Sequence, residues 1–337
     1  MKINFWGPFF ALLLAGLSCG TTQRKGSESP PWLSGSPPKY PPSFYLTAVG
    51  DGETAKDAEA DAYVGISKIF QVKVKSQEES WERYIERNAQ VEEHKFTAES
   101  FIDLSTQKVL NQVRIAQTYQ DHHTGKYYAL AVLDRDQVGT SLRDRISLLD
   151  KEIEDLLKSM GENKLEKVRV LKKTMDRLSL REALNSDLRV VDPEGKGVKP
   201  GYDPGELSRR FEGELKGLSI RVGIEGDGGE ELSAVLTELL VKGGLSVAPE
   251  GTPEDILIKG KLEWEKSGIS DRNWKFVRWK LKVEAWDKEV NQLISSLDRE
   301  GREGHLTYQE AKRRALRTIN ADQLIPISQE VTDYILK

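Results

Sequence analysis

An α+β protein is what the sequence predicts: two small domains of mixed sheet and helix, joined by a helical hairpin and preceded by an export signal and a flexible tether. Three observations carry that prediction. Short apolar runs alternate with period two, as in Val277, Trp279, Leu281, Val283 and Ala285 against Arg278, Lys280, Lys282 and Glu284, which is the mark of a sheet with one wet face. Between them lie stretches with apolar residues every three to four positions, the period of helices. Breaker-rich segments divide the whole, one of them running from Val191-Asp192-Pro193 to Pro204-Gly205.

Lys2 precedes the apolar run Phe9 to Leu17, which is too short to span a bilayer, and small residues lead into Cys19, the sole cysteine of the 337 residues. Residues 1–18 therefore read as a signal peptide. Leu14-Ala15-Gly16-Leu17-Ser18-Cys19 resembles the bacterial lipobox, and the resemblance implies acylation of Cys19 with fatty chains such as palmitate and attachment to a membrane through that lipid. The usual leucine three places before the cysteine is Gly16. An ordinary cleaved signal with Cys19 near the cut is the alternative.

The remaining composition suits an exported, folded chain. Hydrophobic residues make up 38% and charged residues 31%, enough for one or two cores and a wet exterior. A single cysteine leaves no disulfide framework. The formal charge of −4, from 50 basic and 54 acidic residues, gives no basic face and argues against nucleic acid as partner.

Residues 19–42 are rich in Pro, Ser and Gly and read as a tether, interrupted by Trp32 and Leu33, which are expected to dock on the domain that follows. Residues 43–137 form the first domain. Phe44 to Val49 is a strand ending at Gly50-Asp51-Gly52, and Thr54 caps a helix with Ala58, Ala62, Ile66 and Ile69 on one face. Val72 and Val74 alternate with Lys73 and Lys75 and predict a second strand. A helix is expected from about Phe96 to Leu110, then a hairpin with arms at Val113 to Tyr119 and Lys126 to Leu133.

Residues 138–190 predict a helical hairpin from Val138, Leu142, Leu149, Ile153, Leu156 and Met160, then Leu165, Val168, Met175 and Leu178, with Gly161-Glu162-Asn163 between. Residues 191–217 read as a linker. Residues 218–337 form the second domain: a strand at Ile220 to Ile224, a helix to about Val241, strands at Leu245 to Ala248, Asp255 to Glu265 and around Val277 to Ala285, a short strand at Leu293 to Leu297, and helices at about Thr307 to Asn320 and Ser328 to Leu336.

The strand ending in Ala48-Val49-Gly50, the helix spaced as Ala55, Ala58 and Ala62, and Val72-Lys73-Val74-Lys75-Ser76 resemble the bacterial Lpp-twenty lipoprotein family over residues 30 to 190, Trp32 included. The resemblance implies a non-enzymatic envelope protein, anchored in the outer membrane and facing the periplasm. It further implies a scaffold or adaptor among other envelope proteins, in a flagellar or secretion-related assembly of several copies or partners. Gly20 after the cysteine resembles the outer-membrane sorting pattern. The element order of the second domain is similar to the small domain at the front of periplasmic TolB.

Catalytic patterns are thin. Gly50-Asp51-Gly52-Glu53-Thr54-Ala55 satisfies a dinucleotide fingerprint, but the strand expected next is half exposed and lacks a terminal acid for ribose. Gly226-Asp227-Gly228-Gly229 before a helix lacks the lysine and hydroxyl of a phosphate loop. His122 and His123 are adjacent, and no ligand lies at metal-site spacing around His94, His122, His123 or His305. No cofactor and no catalytic residue is expected. Trp264, Trp274 and Trp286, with Trp279 inside, are the candidates for partner or glycan contact, and a peptidoglycan-binding module or cell-wall enzyme is the alternative function.

Overall fold

The computed structural model describes residues 29–35, 37–89, 107–249, 251–266 and 273–337, without the side chains of 73–89. The signal and Cys19 lie outside the described residues, as do His94 and most of the helix expected from Phe96; residues 107–110 are helical. The architecture is α+β. Two antiparallel-rich sheets are each covered by helices.

Strand β1 (Tyr45–Gly52), helix α1 (Ala55–Ala89), β2 (Arg114–Gln120) and β3 (Tyr127–Asp134) build the first layer. Its sheet has the order β1-β3-β2 and is antiparallel throughout. The centre falls to β3 because Ala129 to Leu133 is apolar at every position and is buried on both faces. Ala129, Ala131 and Leu133 meet Ala58, Ala62, Ile66 and Phe70 of α1. On the other face Leu130 and Val132 meet Trp32 and Tyr40.

The tether expected up to Pro42 is therefore corrected. From the short 3-10 turn Pro31–Leu33 onward the proline-rich segment is a strap across the sheet, with Trp32 and Tyr40 only 4% and 5% exposed. Trp32 Nε1 donates to Gln117 Oε1 at 2.5 Å. Proline suits this position because a strap that donates few backbone bonds can lie across a sheet face rather than pair with its edge.

The strand expected at Val72 to Lys75 is also corrected. These residues continue α1, and Val72 is 71% exposed. Flanking Lys, Gln and Glu residues are good helix formers, and their sum outweighs two β-branched residues. Thr54 caps α1 as expected, accepting from Asp57 N–H at 3.2 Å and donating to Asp57 Oδ2 at 2.8 Å.

Helix α2 (Arg135–Lys158) starts directly after β3, capped by Asp134, and α3 (Lys164–Val191), capped by Asn163, packs beside it. The pair is the expected hairpin, but it is no mere connector. The first half of α3 places Leu165, Val168, Leu171, Met175 and Leu178 in one core, and its second half places Leu184, Leu188, Val190 and Val191 in the other. One continuous helix thus belongs to both bodies.

The linker expected over 191–217 contains a further helix, α4 (Pro204–Lys216). Asp203 caps it, Pro204 sits at its first turn, and Leu207, Phe211 and Leu215 form its buried stripe. Strand β4 (Ser219–Glu225), α5 (Gly229–Lys242), β5 (Ser246–Val247), β6 (Ile256–Lys266), β7 (Lys275–Asp287), β8 (Gln292–His305), α6 (Tyr308–Thr318) and α7 (Leu324–Leu336) complete the chain, with a wide helical turn between the last two. The sheet order is β5-β4-β6-β7-β8, with β4 parallel to β5 and β6. The short strand expected at Leu293 to Leu297 is corrected to the full length of β8. Its continuation, Asp298-Arg299-Glu300-Gly301-Arg302-Glu303, has no apolar alternation to reveal it.

Candidate functional site

The outer face of the five-stranded sheet carries the odd residues of β6, the even residues of β7 and, past a bulge at Ile294, the even residues of β8. They form charged cross-strand rows: Lys261, Lys282 and Asp298; Glu263, Lys280 and Glu300; Glu265, Arg278 and Arg302. Lys261–Glu263 and Lys282–Glu284 pair along the strands at 2.6 and 2.5 Å. These exposed pairs lift the lysines and depress the glutamates relative to their ordinary pKa values through hydrogen bonding and charge. An open depression of about 410 Å³ lies over the middle rows.

The four tryptophans do not converge. Trp264 and Trp279 stand opposite each other on the inner face; Trp264 Nε1 donates to the Asp227 carbonyl at 2.9 Å, and the Lys312 ammonium lies 5.2 Å from its ring centre. Trp279 is buried in the core, as its parity predicts. Trp286 is on the outer face between Leu257 and Leu293, with Lys259 Nζ 5.9 Å from its ring centre. Trp274, 41% exposed, lies just before β7 and twelve residues earlier than Trp286, roughly 40 Å along the strand direction. It stacks on Phe276 at 6.4 Å. A single glycan platform built from Trp264, Trp274 and Trp286 is therefore not what the fold makes, because parity and distance separate them.

The glycine motifs are packing devices. At Gly50 a Cβ would stand 2.1 Å from Ala62 N and 2.5 Å from Ala58 O, so α1 crosses β1 backbone to backbone. The sheet beneath is antiparallel, unlike the parallel sheet a dinucleotide site requires. Gly226 has φ +110° and Gly228 φ +87°, and a Cβ at Gly226 would lie 2.2 Å from Leu262 O. The loop is filled by β6, with Asp227 held by Lys312 at 2.7 Å. His122 and His123 sit exposed in the β2–β3 turn, where Asp121 accepts from His123 N–H and Thr124. Those bonds hold its carboxyl below the usual aspartate pKa.

A buried polar knot, with no signal in the local sequence, lies along α3. Arg181 of α3 is wholly buried; its Nε donates to Asp150 Oδ1 at 2.9 Å and its Nη2 to the Val198 carbonyl at 2.8 Å. Tyr202 donates to the same Asp150 oxygen at 2.7 Å, and burial, then that bond, push its hydroxyl pKa well up. Asn185 Oδ1 accepts from Val198 N–H at 2.8 Å, and Arg189 and Asn185 both hold Glu182. The knot pins residues 192–203 to the middle of α3, where the two cores meet. Unpaired charge there would be costly, so these groups act as structural clamps. A helical residue pattern such as Arg181-Glu182-Ala183-Leu184-Asn185 carries no sign of burial.

The folded strap begins at Pro31, and an independent finding starts at the same place. Residues 30–134 match the LPP20 lipoprotein family. The match covers about a third of the chain, and the resemblance expected over residues 30 to 190 falls on the first sheet and its strap. A crystal structure of the secreted protein HP1454 from Helicobacter pylori is similar at 15% identity and TM-score 0.43, covering 86% of this chain and 97% of its own. A minor lipoprotein from Acinetobacter baumannii is similar at 10% identity and TM-score 0.26, covering 35% of this chain and 92% of its own. Rare lipoprotein B from Shewanella oneidensis is similar at 13% identity and TM-score 0.23, covering 35% and 90%. No curated protein sequence matches this chain.

Proposed function

We propose that the protein is a bacterial lipoprotein, anchored through acylated Cys19 in the outer membrane, facing the periplasm, and acting as a non-catalytic scaffold or adaptor among envelope proteins. The observation that carries this reading is α3, which contributes Leu165 to Leu178 to one core and Leu184 to Val191 to the other. Two surfaces fused through one helix keep a fixed geometry, as an adaptor needs. The strap adds to it. From Cys19 to Pro31 the chain reaches at most roughly 43 Å when fully extended, so the fused body stays close to its lipid.

Fractionation tests the anchor. Cys19→Ser should move the protein to the soluble periplasmic fraction or leave its precursor uncut, whereas fractionation like wild type refutes lipid attachment. Crosslinking in intact cells tests the adaptor role. Discrete adducts are expected from the anchored protein and not from Cys19→Ser; a wild type that yields no adducts refutes the role even when the anchor holds.

A further inference from the structure

We propose that β8 is a pairing edge at which two copies of this chain join into one continuous antiparallel sheet, with Gly301 on the two-fold axis. Strand β8 bonds β7 on one side and is the last strand of its sheet. It runs for 14 residues, so a long row of backbone N–H and C=O groups faces outward, which is a template for another strand.

Charge selects the occupant. In an antiparallel pair of identical strands about Gly301, Glu300 of each copy stands opposite Arg302 of the other on the outer face. Arg299 stands opposite Glu303 on the inner face, again twice. All four cross-copy contacts join opposite charges. Centring the pair on Arg302 sets Arg302 against Arg302 and keeps no opposite-charge contact. Centring it on Glu300 keeps Asp298 opposite Arg302 twice but sets Glu300 against Glu300 and leaves Arg299 and Glu303 without a charged partner across the join. Odd displacements turn the wet face of one copy toward the buried face of the other. One register is thus favoured and its neighbours are penalised.

The same residues are left incomplete within the chain. Arg302 lies directly opposite Arg278 and 5.8 Å from the Phe276 ring centre, and like charges opposite each other destabilise a ladder. Glu300 faces Lys280, which pairs instead with Glu265 at 4.0 Å. Among the described residues neither Glu300 nor Arg302 forms an ion pair, while the inner Arg299 and Glu303 are already held by Glu330 and Arg314. Joining two copies extends each outer row to Glu263, Lys280, Glu300, then Arg302, Arg278 and Glu265 of the second copy. That row is neutral, and a carboxylate stands beside the doubled arginines. A strand that carried these charges solely to repel other edges would leave the protein a monomer.

Full-length copies bearing two different tags, co-expressed and solubilised in mild detergent, test the proposal by co-retention on one tag. Wild type should co-retain. E300R with itself and R302E with itself should each lose about tenfold or more, since both cross-copy pairs become repulsive. E300R with R302E should recover, because one copy then presents two arginines and the other two glutamates. The double variant E300R/R302E should also pair with itself. Recovery in these two arms separates a lost contact from a lost fold. Absence of wild-type co-retention overturns the proposal, as does retention insensitive to single reversal, or failure of both recovery arms when the melting temperatures equal that of wild type.

Discussion

Replacing Trp32 by alanine decides whether residues 31–42 are a tether or part of the fold. Trp32 is 4% exposed and packs with Tyr40 on Leu130 and Val132 of the central strand. A tryptophan buries up to about 250 Å², worth roughly 6 kcal/mol at about 25 cal/mol per Å² as an upper bound. Partial collapse of Tyr40 and Leu33 into the gap lowers the expected loss to about 3–4 kcal/mol, and the orphaned Gln117 oxygen adds about 1 kcal/mol. The strap cannot peel away cheaply instead, since that would wet Leu130 and Val132, which are 0% and 1% exposed. Urea unfolding of the full chain, followed by far-ultraviolet circular dichroism, should show a midpoint shift worth about 4 kcal/mol at unchanged slope. Cleavage by a protease within residues 33–44 should accelerate in parallel. A shift below about 0.5 kcal/mol, the size of an ordinary surface change, would show that the sheet's second face does not depend on this side chain.

Gly50→Val should cost about 3 kcal/mol, since its Cβ meets helix backbone that cannot step aside; an unchanged melting temperature would refute the close crossing of α1 over β1. Asp150→Ala should cost about 3–5 kcal/mol by stranding the buried Arg181, whereas Asp150→Ala with Arg181→Met should recover most of that; equal losses for single and double variants would count against the clamp. Burial raises the Asp255 pKa, but hydrogen bonds from Ser219 and Lys164 outweigh it and hold the carboxyl below its ordinary value of 3.8. Its contribution is therefore complete above that value and is lost as pH falls through the lower folded-state pKa. Asp255→Ala should accordingly cost about 2 kcal/mol at pH 7, with the difference from wild type shrinking as the pH drops below 3.8. A gap independent of pH would assign the cost to packing.

What the sequence made legible follows periodicity. Val277 to Ala285 alternates over a long stretch and announces both the strand and the burial of Trp279. The hairpin arms around Asp121 and Gly125 and the Thr54 cap are equally plain, because each is set by local chemistry. The misses share another cause. Val72-Lys73-Val74-Lys75 has strand period, yet it extends a helix already nucleated at Ala55. Pro204 looked like a breaker, although at the first turn after Asp203 it starts a helix, and Leu207, Phe211 and Leu215 carry the stripe that could have revealed it. Residues 298–305 of β8 conceal a strand because an edge with charge on both faces has no hydrophobic alternation. The separation of Trp264 from Trp286 needed strand register, and the Arg181 knot needed tertiary burial; neither is a property of nearby sequence.

The shared helix α3 also means that the stretch a family has in common and the stretch that can fold by itself are different lengths of chain. The matched region stops at Asp134, yet the hydrophobic floor beneath it is laid by Leu184, Leu188, Val190 and Val191, contributed some fifty residues later. An excised piece bounded by the match would leave that floor open to water, so the inherited module is complete only in the company of its downstream neighbour.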